Sequence, residues 1–214
     1  RNVAVPVIAE ALRETPSREP ASLLPPIMER LAAELDVPVK ALRWNLTPFY
    51  TVAMRNHATP PLLLAQQFDF AAAHRLHCAE LSNEENRRIF GKCNSPNAHG
   101  HNYRLEIEVG VHLTEDDRLG FGLADLEAVV NREVIERFDH TNLNLDTEEF
   151  RDLNPSVEHI SKICYEILEA ALESAPCELN RVTVWETDKT SCTYTRQHRL
   201  AALAEVAANG AASR

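Results

Sequence analysis

Two segments in the middle of the chain alternate between apolar and polar positions. In residues 62–75, one parity carries Phe68, Phe70, Ala72 and His74. In residues 101–111, one parity carries His101, Tyr103, Leu105, Ile107, Val109 and Val111. Because successive side chains of a β-strand point to opposite faces, both segments are predicted to be strands with one buried face. The polar, turn-rich residues 77–98 between them predict a loop.

Two later segments place apolar residues at helical spacing. The first stripe, predicted to end near Phe138, consists of Leu126, Val129, Val130 and Val134. The second stripe occupies residues 157–171 and follows Asn154-Pro155-Ser156. Proline suits the first turn of a helix, and either Asn154 or Ser156 is a candidate cap.

A closing hairpin is predicted from Arg181–Thr187 and Ser191–Arg199. The order of elements is therefore strand, strand, helix, helix, strand, strand, which favours an α+β domain. The Ala-rich residues 200–214 are expected to be either a frayed helix or disordered.

The N-terminal segment resembles part of this later domain. Thr15-Pro16-Ser17-Arg18-Glu19 is similar to Asn154-Pro155-Ser156-Val157-Glu158, and each is followed by an apolar helical stretch and a strand with one tryptophan, Trp44 or Trp185. Residues 1–55 are interpreted as the second half of a repeat whose first half lies before Arg1. Two ordinary helix starts that match by chance are the alternative. Because the chain begins with arginine, we expect a processed chain or a fragment.

Charge and cysteine content narrow the classes of function. With 22 basic and 32 acidic residues, the net charge of −10 argues against nucleic acid or an anionic membrane surface as the main partner. No apolar run approaches the roughly 20 residues of a membrane-spanning helix, and no secretory leader opens the chain. The cysteines are odd in number and lack a C-x-x-C pair, so we expect reduced thiols and a cytoplasmic location. They are Cys78, Cys93, Cys164, Cys177 and Cys192.

The strongest chemical pattern is His99-Gly100-His101. On a strand these two imidazoles project to the same side, and His74 closes the other predicted strand on the side of Phe70. Pairing of the two strands would bring three imidazoles together and leave a fourth tetrahedral position open, as in catalytic zinc sites. Histidines that merely fill polar gaps are the alternative.

Three further features are candidates for chemistry. Cys93 lies in the loop before His99, beside Lys92, and a thiol near a metal and a lysine is expected to have a lowered pKa; a small packed thiol is the alternative. Asp139 and His140 offer a carboxylate and an imidazole for proton relay, or only a solvated helix end. Glu186 is an acid in an apolar strand, where it either binds a polar ligand or is an exposed strand residue.

Five ordered segments resemble the motifs of the 6-pyruvoyltetrahydropterin synthase family, which includes the bacterial 6-carboxytetrahydropterin synthases of queuosine biosynthesis. The segments are Phe70–Leu76, Leu81–Tyr103, Phe138–Asn144, Asn154–Glu158 and Val184–Asp188. The resemblance covers about residues 66–197 and implies the tunnelling fold (T-fold), an antiparallel four-stranded sheet with two helices on one face. The expected domains are then residues 1–60 as the half-repeat, 61–199 as the complete domain, and 200–214 as a tail.

The resemblance also implies roles for individual residues. The zinc ligands would be His74, His99 and His101. The catalytic thiolate would be Cys93, with Asp139 and His140 as its relay, reaching it from a neighbouring subunit of a homo-oligomer. The pterin would be anchored by Glu186, with Ser156 and Glu158 near the same pocket.

The implied substrate is 7,8-dihydroneopterin triphosphate, which loses triphosphate. Internal redox then gives 6-pyruvoyltetrahydropterin, whereas carbon–carbon cleavage gives 6-carboxytetrahydropterin and acetaldehyde; the sequence leaves both products open. Two other functions remain as alternatives. One is an aldolase- or epimerase-type T-fold enzyme, which works without a three-histidine metal site, and the other is a pterin-binding module without activity.

Three positions depart from the family pattern. Gly122 stands where an acid or amide is usual, and Val157 where threonine is common. In the N-terminal segment, Trp44 is followed by Asn45 rather than by a glutamate. That segment therefore lacks a pterin anchor, and we expect it to be a structural partner.

Overall fold

The computed structural model describes residues 4–14, 19–35, 37–56, 58–116 and 118–212. Its α-helices are α1 (Ala4–Glu14), α2 (Leu24–Leu35), α3 (Asn83–Phe90), α4 (Leu123–Val130), α5 (Glu136–Phe138), α6 (Leu143–Asp146), α7 (Val157–Ala171) and α8 (Arg196–Ala212). Its strands are β1 (Ala41–Asn45), β2 (Tyr50–Arg55), β3 (Leu62–His74), β4 (His99–Val111), β5 (Thr141–Asn142), β6 (Cys177–Thr187) and β7 (Thr190–Thr195). Short 3₁₀ helices span Pro20–Leu23 and Gly91–Asn94, and Asn131–Ile135 forms a π-helical turn.

The strands form one sheet in the order β1-β2-β3-β4-β6-β7, and β5 pairs in parallel with β3. The antiparallel α+β class is confirmed, and β3, β4, β6 and β7 are the four predicted strands. Within the described residues the sheet has seven strands, because β1 and β2 of the N-terminal segment and the two-residue β5 join these four. β1 and β2 form an antiparallel hairpin, and β2 pairs with the Leu62–Gln66 part of β3.

The chain divides into two compact units, of which the first contains Arg1–Gln66, Glu108–Glu127 and Ser174–Glu178. Its described core is centred on Leu23, Ile27 and Leu31, with Ile8, Val39, Leu42 and Trp44 packed against them. α2 begins at Leu24, so Pro25 and Pro26 lie in its first turn, where a missing N–H leaves no hydrogen bond broken. The Thr15–Arg18 part of the repeat-like segment lies outside the described residues.

The second unit contains Gln67–Ile107, Ala128–Glu173 and Leu179–Arg214. Its core joins both predicted strands to both predicted helices. The Phe70 ring of β3 stacks on Tyr103 of β4 at 5.0 Å between ring centroids and lies 6.4 Å from Phe138 of α5. The apolar stripe of α7 is buried at Ile160, Cys164 and Leu168, and this helix packs against β7. The predicted stripes are therefore the buried helix faces.

The first predicted helix is continuous but contains a π-helical turn. α4 ends at Val130, the π-helical turn follows, and α5 completes the segment at Phe138. Val134 within that turn remains fully buried, so the apolar stripe survives the change of helix type.

The structure corrects the sequence prediction at two further points. The predicted loop at 77–98 contains α3, whose start carries a capping box: Ser82 accepts from the Glu85 N–H, and the Glu85 carboxylate accepts from the Ser82 N–H. The second strand of the closing hairpin ends at Thr195 rather than at residue 199, and α8 starts at Arg196. Among the described residues, no helix is both long and apolar enough to cross a membrane.

Candidate active site

Three imidazoles converge where β3 ends and β4 begins. His74, His99 and His101 each offer one ring nitrogen, and these nitrogens lie within 4.8 Å of one another. The two nearest, Nε2 of His74 and Nε2 of His99, are 3.1 Å apart. The predicted same-face placement of His99 and His101 therefore gives a cluster with the spacing of metal ligands.

Hydrogen bonding prepares the His74 ring to act as a ligand. The His74 Nδ1–H donates to the backbone carbonyl of Pro155 at 2.7 Å, which leaves the Nε2 lone pair directed at the other two rings. The Nε2 of His101 is buried and has no hydrogen-bond partner within the described chain. Burial is the main cause that lowers the pKa of both His74 and His101. Converging imidazole nitrogens, of which His101 Nε2 has no hydrogen-bond partner, fit a bound metal ion.

Glu186 lies beside this triad because of an irregularity in β6. The pairing of β6 with β7 shifts register between Trp185 and Thr187, so Glu186 stands at a bulge, a feature that re-aims side chains next to active sites. Its Oε1 is 3.3 Å from His74 Nε2 and 3.6 Å from His101 Nε2. The partly buried Glu186 carboxylate therefore lies against two of the three imidazoles.

Cys93 is held by a turn attached to the end of β3. Gly91 adopts a φ of 54° and turns the chain from α3 into the 3₁₀ helix that carries Cys93. The turn is fixed by Leu76 N–H donating to the Cys93 carbonyl at 2.8 Å and by the Asn94 amide donating to the Leu76 carbonyl at 2.6 Å. Burial, and then the Glu186 carboxylate, raise the pKa of the Cys93 thiol. The protein groups therefore do not lower the pKa of the Cys93 thiol, as the sequence analysis expected, but raise it.

Asp139 and His140 form a pair just before β5. The His140 Nδ1–H donates to Asp139 Oδ2 at 2.8 Å, and Asp139 Oδ1 accepts from the Ala71 N–H at 2.7 Å. The Ala71 hydrogen bond, followed by His140, holds the pKa of Asp139 below its usual value. His140 has a φ of 58° and a side chain that is 83% exposed.

This pair is separate from the other candidate groups. The described residues show no hydrogen bond or ion pair from Asp139 or His140 to Cys93 or to the imidazole triad. An open cleft of about 530 Å³ nevertheless has both His140 and His101 in its wall, together with Ala71, Ala73 and Gly100.

The remaining predicted residues lie at helix starts. Ser156 is the N-cap of α7, because its side chain accepts from the His159 N–H. Asn154, the alternative cap, instead accepts from the His77 N–H through its side chain. Glu158 is exposed in the first turn of α7.

Gly122, the first departure from the family pattern, lies directly before α4. Its N–H donates to the Asp125 carboxylate at 2.9 Å, so an acid in the first turn of α4 satisfies the backbone there. Val157, the other departure near the predicted pocket, is buried at the start of α7.

Two supporting groups were not found from the sequence. The contact of the Pro155 carbonyl with His74 could not be predicted from the sequence, because every residue has a backbone carbonyl. Asn94 is buried beside Cys93, and its position within Gly91-Lys92-Cys93-Asn94 was the available clue.

Comparison with known families identifies the fold and the family. The model of the family described as 6-pyruvoyl tetrahydropterin synthase matches residues 63–197. The chain belongs to the 6-pyruvoyl tetrahydropterin synthase family.

Two curated members of the 6-pyruvoyl tetrahydropterin synthase family illustrate the similarity. The chain is 34% identical over 131 residues to the human 6-pyruvoyl tetrahydrobiopterin synthase, covering 61% of this chain and 89% of that protein. It is 36% identical over 135 residues to a Caenorhabditis elegans protein called a putative 6-pyruvoyl tetrahydrobiopterin synthase, covering 63% of this chain and 95% of that protein. The solved structure of the Caenorhabditis elegans 6-pyruvoyl tetrahydropterin synthase matches with a TM-score of 0.58 and 34% identity, covering 62% of this chain and 94% of that one.

The family match confirms the sequence resemblance and the T-fold. It includes every candidate site residue from His74 to Glu186. It leaves α1, α2, β1 and β2 outside, so these elements are additions to the part of the chain that resembles the 6-pyruvoyl tetrahydropterin synthase family.

Proposed function

We propose that this chain is a metal-dependent lyase that acts on 7,8-dihydroneopterin triphosphate and eliminates triphosphate. The convergence of His74, His99 and His101 beside Glu186, within a domain similar to named 6-pyruvoyl tetrahydrobiopterin synthases, carries the proposal. The main product in this proposal is 6-pyruvoyltetrahydropterin. The alternative product is 6-carboxytetrahydropterin, formed with acetaldehyde on the route to queuosine.

The proposed metal is zinc, bound by His74, His99 and His101. Three histidine ligands with an open fourth position are typical of catalytic zinc sites. When bound, zinc acts as a Lewis acid that makes side-chain hydroxyls and adjacent C–H bonds of the substrate more acidic. Pro155 supports the site by keeping the proton of His74 on Nδ1.

Cys93 is the proposed proton carrier for the substrate side chain. Its thiol is close enough to Glu186 for that carboxylate to raise its pKa. A positive charge in the triad would act in the opposite direction, because it stabilises a nearby thiolate. The protein groups and the metal together would thus set the protonation of Cys93.

Glu186 is the proposed anchor of the pterin ring. A carboxylate accepts two parallel N–H bonds from the 2-amino and N3 positions of a pterin, which makes the contact both charged and directional. Ser156 and Glu158, at the start of α7, are proposed to border the same pocket.

Asp139 and His140 are proposed to relay protons to Cys93 of a second copy of the chain. The exposed His140 ring makes no hydrogen bond to Cys93 among the described residues, while Asp139 orients its Nδ1–H. A neighbouring subunit would bring the two groups together, so the proposed enzyme is a homo-oligomer with active sites at subunit interfaces.

The domain organisation in this proposal follows the repeat-like sequence. Residues 1–60 are the second half of a degenerate T-fold repeat, 61–199 the complete domain and 200–214 a tail, of which the residues up to Ala212 belong to α8. The sequence α2-β1-β2, with Trp44 on β1, parallels α7-β6-β7, with Trp185 on β6, which supports the proposal.

The test is turnover of 7,8-dihydroneopterin triphosphate by the zinc-loaded protein, with products read by mass spectrometry. We expect one triphosphate per substrate consumed, together with 6-pyruvoyltetrahydropterin. Acetaldehyde and 6-carboxytetrahydropterin would assign the alternative product. Quantitative recovery of substrate would overturn the proposed function.

A further inference from the structure

The chain that follows His74 is held by asparagine side chains. β3 ends at His74, and residues 75–77 belong to neither a helix nor a strand. The Asn144 side chain bonds both backbone groups of Arg75: its Oδ1 accepts from the Arg75 N–H at 2.7 Å, and its Nδ2 donates to the Arg75 carbonyl at 3.0 Å. One asparagine therefore does for Arg75 what a neighbouring strand does inside a sheet.

A second asparagine ties this segment to the residue that contacts the His74 ring. Asn154 Oδ1 accepts from the His77 N–H at 2.8 Å. The residue after it, Pro155, accepts from the His74 Nδ1–H at 2.7 Å. Two hydrogen bonds thus join residues 154–155 to residues 74–77. The position of the Pro155 carbonyl relative to the imidazole therefore depends on Asn154.

The middle residue of the segment, Leu76, bonds instead to the turn that carries Cys93. Its N–H donates to the Cys93 carbonyl at 2.8 Å, and its carbonyl accepts from the Asn94 amide at 2.6 Å. Residues 75–77 therefore connect the end of β3, where His74 lies, to the Cys93 turn. Contacts that fix this segment bear on both groups.

A metal site tolerates little displacement of its ligands, because ligand-to-metal distances are defined to about ±0.2 Å. The sheet restrains the His74 backbone from its N-terminal side, since β3 ends at this residue. On the C-terminal side, the bidentate contact of Asn144 with Arg75 comes first. The two asparagines are thus placed to control the backbone and the ring of one ligand.

We propose that Asn144 and Asn154 are positioning residues for the metal ligand His74. Asn144 fixes the backbone of this ligand through Arg75, and Asn154 fixes its ring through Pro155. The inference rests on the proposed function for the presence of the metal. It adds two residues on which metal affinity depends and which act through other residues.

The test is the zinc dissociation constant of the full chain, measured by competition with a chromogenic chelator, for Asn144→Ala and Asn154→Ala. Asn86→Ala is the matched control. The Asn86 side chain makes the same pair of bonds to one residue, accepting from the Cys78 N–H and donating to the Cys78 carbonyl, both at 2.8 Å. Asn86 is fully buried, so its replacement should destabilise the fold at least as much. Thermal midpoints of the metal-free proteins measure that loss.

Zinc affinity should separate the variants where stability does not. Asn144→Ala should raise the zinc dissociation constant about 10- to 100-fold, the usual effect of losing a group that orients a metal ligand. Asn154→Ala should raise it about 10-fold, at the lower end of that range. Asn86→Ala should lower the thermal midpoint and leave the zinc dissociation constant unchanged. Asn154→Asp should bind zinc as the wild-type protein does, because its carboxylate still accepts from the His77 N–H.

Contrary results are distinguishable. Unchanged zinc affinity in Asn144→Ala and Asn154→Ala, or an equal loss in Asn86→Ala, would show that the asparagines only support the fold and would overturn the inference. If Asn144→Ala does not fold, the two Asn154 variants decide, and equal zinc affinity in both would overturn the inference.

The fate of the proposed function is read separately, from turnover of 7,8-dihydroneopterin triphosphate by the zinc-loaded wild-type protein. The expected changes in zinc affinity without any wild-type turnover would support the inference while removing the proposed lyase. Wild-type turnover with unchanged zinc affinity in the variants would overturn the inference alone. A wild-type protein that binds no zinc would overturn both.

Discussion

The His74 ring shows how one backbone atom prepares a site for metal. The Pro155 carbonyl fixes the proton on Nδ1, and burial favours the neutral ring, so Nε2 presents a lone pair to His99 and His101. Without that carbonyl, the buried ring could place its proton on either nitrogen. In the proposed metal site, the orientation of the His74 ligand therefore depends on a hydrogen bond that it makes away from the metal.

Cys93 and Glu186 are predicted to affect different steps. Cys93→Ala should lower kcat by about 10²- to 10⁴-fold, the contribution of a proton-transfer group, with zinc content retained. Glu186→Gln should mainly raise KM, by roughly 10- to 100-fold, because it loses the charge of a strong hydrogen bond. Steady-state kinetics with metal analysis measures both. Normal turnover in Cys93→Ala would mean that Cys93 only packs within its loop. Loss of zinc from this variant would mean that Cys93 is a metal ligand.

The reactivity of Cys93 is predicted to depend on metal. Burial and Glu186 raise the pKa of its thiol, so the metal-free protein should hold little thiolate at pH 7 and react slowly with iodoacetamide. Zinc loading should accelerate this labelling, because the cation offsets the carboxylate.

Cys164 is the internal control for that experiment. It is fully buried on α7, and burial raises the pKa of its thiol to about 12, so it should remain unlabelled in both states. Labelling of Cys93 at equal rates with and without zinc would contradict its placement near the metal. Peptide mass spectrometry distinguishes the two cysteines.

At the level of elements, the turn from α3 into the 3₁₀ helix determines where Cys93 lies. Gly91→Ala places a side chain at a φ of 54°, which should cost about 1–3 kcal/mol of unfolding free energy and lower kcat by displacing Cys93. Gly120→Ala is the control, because its φ is not positive and a Cβ there would meet only Pro176 and Thr114 at ordinary distances. Denaturant unfolding measures the difference. Equal stability of the two variants would argue against a glycine requirement at 91.

Regular elements were predictable from the sequence because their periodicity reflects burial. The alternation in β4 and the stripe of α7 each gave the correct element, and the α7 stripe is the buried face. The prediction of one buried face for β4 was wrong beyond Leu105, because Glu106 and Glu108 on the other face are buried too. The bulge at Glu186 was not predictable, since it depends on how β6 pairs with β7. α3 was missed because it is short and carries few apolar residues, although Ser82 and Glu85 are spaced as a capping box. Among site residues, His99 and His101 followed from spacing, whereas the Pro155 contact required the folded chain.

For the whole molecule, the N-terminal segment is predicted to serve assembly rather than the metal site. The described residues of the 1–55 segment contribute no ligand to the imidazole cluster, and deleting the segment would expose the Leu62–Gln66 edge of β3 that β2 covers. We expect the truncated chain to change its oligomeric mass and lose thermal stability while still binding zinc. Light scattering and metal analysis measure these effects. An unchanged mass and midpoint would contradict the half-repeat interpretation.

The dependence of turnover on metal tests the central claim of a histidine-bound metal in a pterin lyase. The metal-free protein is titrated with Zn²⁺ while conversion of 7,8-dihydroneopterin triphosphate is followed. Turnover should be negligible at first and saturate at about one zinc per chain, as for a single three-histidine site. His99→Ala should show no such response, and His112→Ala, at an exposed histidine outside the cluster, should match the wild-type protein. Turnover that does not depend on zinc, or full turnover by the His99→Ala variant, would contradict the account.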